Sequence, residues 1–231
     1  MKRSKWVSLL AILVLIPVTL WLGTRMPGRW YYLTSTLIIL ETMLPFFLMF
    51  ESRKPQAREL VTIAVMCALA TVSRIAFAFL PSFKPITGIV MIAGIAFGAE
   101  AGFLTGALSA FASNFFYSQG PWTPWQMMAY GIGGFVAGAL FYRHPGWRKP
   151  AVMGAFGFLM IVLVVGPLLD CCTIFTSLTT ITAEAVALVF IRGIPLNVSH
   201  GVGCCLTMLL FGKPLLAKLN RLKVKYGMLE V

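Results

Sequence analysis

Residues 84–117 read KPITGIVMIAGIAFGAEAGFLTGALSAFASNFFY, and this stretch decides the fold. After Lys84 its only charge is Glu100. As one helix it would be about 50 Å long at 1.5 Å per residue, too long for one crossing of a roughly 30 Å hydrocarbon layer. A charge within hydrocarbon is costly, so Glu100 belongs at an interface. Gly98-Ala99-Glu100 is therefore the expected break between two spans, 85–98 and 100–117.

Apolar runs on either side extend the pattern. Spans of about twenty apolar residues are expected near 6–23, 31–50, 59–80, 125–142, 150–168 and 182–211, which makes eight in all. The first run follows Lys2, Arg3 and Lys5 but shows no small-residue cleavage site near Trp21 to Arg25, so it reads as a retained span. The chain has 231 residues, 59% hydrophobic and 11% charged, with a net charge of +12. Its mean hydropathy is +0.87. Soluble domains carry about 25% charged residues, so the composition excludes that class.

The basic residues set the orientation. They gather in four patches: Lys2, Arg3 and Lys5; Arg53, Lys54 and Arg58; Arg143, Arg148 and Lys149; and Lys213, Lys218, Arg221, Lys223 and Lys225. The loops between carry only Arg25, Arg29 and Lys84. Short cytoplasmic loops retain Lys and Arg, so both termini are expected in the cytoplasm and the Glu100 break on the same side. Charges confined to span ends suit anionic lipid contact and no nucleic acid partner. The expected fold class is all-α and polytopic. A hairpin and linker (1–58) precede a six-helix core (59–212) and a basic cytoplasmic tail (213–231).

Two groups of residues point to function. Residues 113–126 read SNFFYSQGPWTPWQ and carry no charge. Asn114 lies at the outer end of the fifth span. Gln119, Trp122, Thr123, Trp125 and Gln126 fill an outer loop and the entry to the sixth, with Thr123 as helix cap and Pro124 in the first turn. Amides and large aromatic faces are how pockets hold a bulky organic ligand. An interfacial aromatic belt explains the tryptophans equally well and the amides less well. The second group is ionisable. Arg74 and Arg192 lie inside spans, Asp170 and Glu184 lie near an outer end, and Lys84 lies at the outer mouth. Such groups pair or face a cavity, so Arg74 is expected either to pair with Glu184 or to touch a ligand. His200 reads as a packed, neutral core histidine.

Small residues recur every fourth position at Gly94, Gly98, Gly102, Gly106 and Ala110, and again at Gly134 and Gly138. That spacing lets helix backbones approach closely and predicts packing within the chain. Ala64 and Ala68 share it, either for internal packing or for a partner helix. Cys67, Cys171, Cys172, Cys204 and Cys205 have no metal-ligand spacing and read as buried free thiols. There is no phosphate loop, no H-E-x-x-H and no G-x-S-x-G. No metal site or cofactor is expected in this chain.

At this point a family resemblance enters. The run Ala64 to Ala70, Lys84-Pro-Ile-Thr-Gly, Phe97-Gly98, Gly102, Ser113-Asn114 and Gly120-Pro-Trp-Thr-Pro-Trp-Gln-Met resembles the substrate-binding S component of an energy-coupling factor (ECF) transporter. The likeness spans about 59–212 and is strongest over 84–138. It implies a six-helix vitamin-binding subunit with no ATPase. That subunit would dock a membrane scaffold through Ala64 and Ala68, while two cytoplasmic ATPases consume ATP and Mg. It also implies toppling in the membrane, with substrate held on the outer side. The expected substrate contacts are Arg74, Lys84, Asn114, Gln119, Trp122, Trp125, Gln126 and Glu184. The extra hairpin resembles a cobalamin-type subgroup, which makes cobalamin the favoured vitamin. Two other classes remain open: an intramembrane enzyme acting on a lipid or isoprenoid around Arg74, Asp170 and Glu184, and an assembly subunit without ligand.

Overall fold

A hydrocarbon layer offers backbone groups no partner but each other, so helices are the expected response. In a computed structural model, residues 14–25, 30–52 and 54–227 are described, and there is no strand among them. The helices are Ile16–Arg25 (α1), Tyr31–Ser52 (α2), Ala57–Ala76 (α3), Ile86–Phe97 (α4), Ala99–Tyr117 (α5), Trp122–Phe141 (α6), Pro150–Ser177 (α7) and Ala183–Tyr226 (α8). Positions 6–13 of the first expected span, and Lys2, Arg3, Lys5, Arg29 and Arg53, lie outside the described residues.

Four helices, α2, α3, α7 and α8, are long and apolar enough to cross a membrane by themselves. The 12 residues of α4 are apolar but short. Gly, Ala and Ser dilute the apolar content of α5 and α6, whose inner faces are buried in the core. The 84–117 stretch breaks at Gly98, where φ is 98°, a region that side-chain-bearing residues avoid. Every residue of α4 is buried, with α3, α5, α6 and α8 packed around it.

The glycine stripe forms the centre of this packing. A Cβ added at Gly94 would sit 2.2 Å from the Gly134 carbonyl oxygen, and one at Gly102 would sit 2.3 Å from the same atom. At Gly138 it would meet the Ala99 nitrogen at 2.6 Å. The backbones of α4, α5 and α6 therefore touch where any side chain would hold them apart. On another face the N-terminal hairpin packs through stacked Phe46 and Phe103, with ring centroids 4.2 Å apart. Thr19 donates to Glu41 Oε1 at 2.6 Å within the hairpin. Glu41 lies mid-span in α2, an intramembrane carboxylate that the sequence reading did not single out.

Three helix boundaries differ from expectation. Helix α6 begins at Trp122, after Pro121 in helical conformation, so Trp122 and Thr123 lie in its first turn rather than in a loop. Proline tolerates this position because its fixed φ is already helical. Helix α7 continues through Pro167 to Ser177, past the span end expected at residue 168. The π-helical turn Ile161–Val165 ends two residues before that proline, widening the ladder where its ring would otherwise clash. Helix α8 runs 44 residues through Pro195 and Pro214, so the basic tail continues the last helix. It ends at Gly227, which has a left-handed φ of 57°.

Polar side chains close the other ends. Arg148 donates to the Phe141 and Tyr142 carbonyls at 3.0 and 2.6 Å, satisfying the end of α6. Lys223 donates to the Ala96 carbonyl at the end of α4. Arg58 donates to the Tyr226 carbonyl at 2.8 Å, which ties α3 to the far end of α8.

Candidate functional site

The C-terminal ends of α3 and α5 and the N-terminal end of α6 meet in a hydrogen-bonded latch. Arg74, in the last turn of α3, is 7% exposed. Its Nη1 donates to Ser113 Oγ and, at 3.0 Å, to Asn114 Oδ1. Its guanidinium lies 4.6 Å from the Tyr117 ring centroid, and the Tyr117 hydroxyl returns a bond to the Arg74 carbonyl at 2.9 Å. Asn114, fully buried, spends its other end on Thr123 Oγ1 at 3.0 Å. Thr123 in turn donates to Gln119 Oε1 at 2.9 Å and accepts from the Gly120 amide at 3.3 Å. Gln119 Nε2 donates to the Phe111 carbonyl at 2.9 Å.

This arrangement settles the surroundings of Arg74. Its charge is held among neutral oxygens and one aromatic face. Glu184 is exposed in the first turn of α8, and the Arg74–Glu184 pair, one of the two alternatives, is not formed. Arg192 is also exposed on α8, and Lys84 is half-buried just before α4. Thr123 is a network hub, not the helix cap expected of it.

One turn inward, α6 carries polar atoms of a different kind. Trp125 is 6% exposed and stacks on Phe175 of α7 with centroids 5.7 Å apart, but its Nε1 has no partner. Gln126 Oε1 and the hydroxyl of fully buried Tyr130 are likewise buried without partners. An unmade buried hydrogen bond costs about 1–3 kcal/mol, so such groups in one short segment need an explanation. Gln126 and Tyr130 are one helical turn apart and share a face. That face meets α8, where the Tyr130 and His200 rings lie edge-on with centroids 6.0 Å apart.

The polar string continues from there. His200 Nε2 lies 3.1 Å from Thr87 Oγ1 of α4, so the histidine is packed as expected. Asn197, three residues before His200 on the same helix face, donates to Asp170 Oδ2 of α7 at 2.8 Å. The Thr87–His200 and Asn197–Asp170 hydrogen bonds and the Tyr130–His200 ring contact thus join α8 to α4, α7 and α6. Sequence reasoning passed over Thr87, Tyr130 and Asn197, and read Asp170 as an ionisable group near an outer span end without naming a partner for it. Partners 113 residues apart, as Thr87 and His200 are, leave no local signal.

Trp122 sits apart from this set. It is 38% exposed, and its Nε1 donates to the Ser118 carbonyl at 3.3 Å. Ala64 and Ala68 are both exposed on α3, in line with exposed Val61, Val65 and Val72. That face is smooth and is covered by none of the described residues.

The latch makes a stability prediction. Asn114→Ala removes two buried bonds and strands Arg74 and Thr123, so thermal unfolding in detergent should occur several degrees lower. An unchanged melting temperature would show that the network holds nothing together.

The described residues contain no group of three or more His, Cys, Asp or Glu side chains placed to hold a metal. The five cysteines are free. Among the described residues, apolar helices long enough to span a membrane enclose a set of buried polar side chains. A family model described as the ECF-type riboflavin transporter S component matches residues 54–220, well over half of the chain. The chain belongs to that family. It is a multi-pass membrane transport subunit and not an enzyme, which removes the lipid- or isoprenoid-modifying alternative. The matched family is the riboflavin type and not the cobalamin-type subgroup suggested by the extra hairpin. No curated protein and no solved structure matches the chain.

Proposed function

We propose that this chain captures a flavin, free riboflavin in the first instance, as the S subunit of an ECF-type importer. The observation that carries the reading is the family match over residues 54–220. The chemistry of the interior supports it. Riboflavin is neutral and offers a flat tricyclic ring, a pyrimidine-like edge with N–H and carbonyl groups, and a polyhydroxylated chain. Unpaired Trp125 Nε1, Gln126 Oε1 and Tyr130 hydroxyl supply two donors and an acceptor beside aromatic faces. This is the mixture that orients a planar apolar ligand. Arg74, Asn114 and Gln119 frame the site by fixing the α5–α6 turn, and Trp122, Lys84 and Glu184 border its outer mouth. A corrinoid is not favoured, because the family match outweighs the hairpin.

In the same reading both termini are cytoplasmic and the site opens outward. The partners are a membrane scaffold subunit and two ATPases that use ATP and Mg, while this chain holds no cofactor of its own. The exposed Ala64 and Ala68 face docks the scaffold. Residues 59–212 form the substrate-binding core, with the hairpin as an added layer.

Tyr130→Phe tests the site with opposite signs. Removing a buried hydroxyl that has no partner should leave the empty protein as stable or slightly more so. It should weaken riboflavin binding by roughly five- to a hundredfold, the equivalent of one hydrogen bond. Fluorescence titration with riboflavin and a thermal scan read the two effects. Unchanged affinity in both Tyr130→Phe and Gln126→Ala would place the ligand elsewhere.

A further inference from the structure

Helix α2 lies outside residues 54–220, the stretch that matches the family. Its buried face nevertheless reaches the candidate site. Ile39, Met43 and Phe50 are buried at spacings of one and two helical turns, so they share a face. Met43 packs with Phe103 and Ala107 of α5. Ile39 instead joins Trp125 of α6 and Cys172 of α7 in a separate buried cluster, with Phe175 packed against it. We infer that Ile39 is a positioning residue of the vitamin site, holding the Trp125 indole so that its Nε1 is turned toward the ligand. The inference rests on the flavin reading above and extends it to the hairpin.

The orphaned indole carries the argument. Trp125 is 6% exposed, and its Nε1 is buried without a partner. An indole N–H normally finds a partner when buried, so a ring free to turn would swing toward one. Its neighbours must therefore hold it. Phe175 lies nearly parallel to the ring, with an interplanar angle of 20°. Ile39 supplies a β-branched wall that is stiff at χ1 and keeps its shape. Binding groups need to be held within about 0.5 Å of their working geometry, which rigid backing of this kind provides. Ile39 is itself braced. Glu41, two residues further on, accepts from Thr19 of α1, and Phe46 stacks on Phe103. Met43 and Phe46 already dock the hairpin on α5, so docking alone does not require the cluster at Ile39.

The test compares Ile39→Ala with Met43→Ala in the purified full-length chain. Each deletes a buried apolar side chain from the same face of α2, so each should lower the melting temperature by several degrees. Only Ile39→Ala should weaken riboflavin binding, by roughly tenfold, the equivalent of one misaligned hydrogen bond. Ile39→Val, one methylene smaller, should fall between Ile39→Ala and the wild type. A second readout needs no ligand. In the chain labelled with fluorotryptophan, the Trp125 fluorine resonance is identified by its loss in Trp125→Phe. It should shift or broaden in Ile39→Ala and Ile39→Val and stay in place in Met43→Ala. Unchanged affinity in Ile39→Ala, an equal loss in Met43→Ala, or a Trp125 resonance that neither Ile39 variant moves would overturn the assignment. If Ile39→Ala does not fold, Ile39→Val decides by the same two readouts. A wild type that binds no riboflavin would remove the flavin reading, and the resonance would then decide by itself whether Ile39 holds Trp125.

Discussion

Replacing Ala64 or Ala68 with tryptophan is expected to abolish vitamin uptake by the assembled transporter while the isolated chain still binds riboflavin. Both alanines are exposed, and Val61, Val65 and Val72 extend the same uncovered face of α3. Lipid tails are as apolar as these side chains, so no hydrophobic gain drives a partner helix onto the face. Close backbone approach is the remaining source of attraction, and small residues four apart provide it. An indole projecting from either position would hold the backbones apart and forfeit the dispersion contacts along the whole contact. Neither alanine contributes to the core, so folding and ligand binding should be spared. Uptake by vesicles containing the scaffold and ATPases measures the first effect, and co-purification with the scaffold identifies its cause. Normal uptake and assembly in both variants would move the docking surface elsewhere.

Gly102→Val should prevent stable folding. The Cβ alone would lie 2.3 Å from the Gly134 oxygen and 2.7 Å from the Gly94 Cα. These are backbone atoms at the crossing of three helices, and none can rotate away. Overpacking that flexible side chains absorb costs about 1–3 kcal/mol, and here the helices themselves must part. The variant should show little folded yield, or a melting temperature far below that of the wild type. Gly146→Ala is the matched control, because nothing lies within 4 Å of the Cβ it adds. A Gly102→Val protein that melts with the wild type would mean that α4, α5 and α6 do not cross this closely.

Both predictions concern features that were partly legible in the sequence. The four-residue spacing identified Gly94, Gly102 and Gly134 as packing positions because closeness between helices requires small residues whatever the partner. The same rule marked Ala64 and Ala68 but could not say whether the partner lay inside the chain. Glu100 exposed the break at Gly98 because a lone charge in an apolar run has few places to go. Proline was the weaker guide. Pro124 lies in the first turn of α6 as read, but helix runs on through Pro167, beside the span end expected at 168, and through Pro214, beside the end expected for the core. At Pro167 the preceding π turn accommodates the ring, and after Pro214 the Leu-, Ala- and Lys-rich residues are strong helix formers.

The candidate site was legible in composition and not in arrangement. Asn114 and Gln119 stood out as polar residues in an apolar setting, yet their bonds with Arg74 and Thr123 face one another. The unsatisfied atoms lie one turn further along α6, at Trp125, Gln126 and Tyr130. Tyr130 looks unremarkable in sequence because an orphaned hydroxyl is a property of what surrounds it, and its ring neighbour His200 comes from a distant helix. The cobalamin-type reading rested on a different part of the chain. The N-terminal hairpin is conspicuous in the chain but lies outside the residues that match the family.

The most direct test of the central claim is the absorbance and mass spectrum of small molecules released from the full-length protein, purified from cells grown with riboflavin and cobalamin together. The expected result is one bound flavin per chain, with yellow colour, quenched fluorescence in the complex and recovery of free riboflavin on denaturation. A red corrinoid spectrum, or flavin absent from a folded protein that also fails to bind added riboflavin, would contradict it.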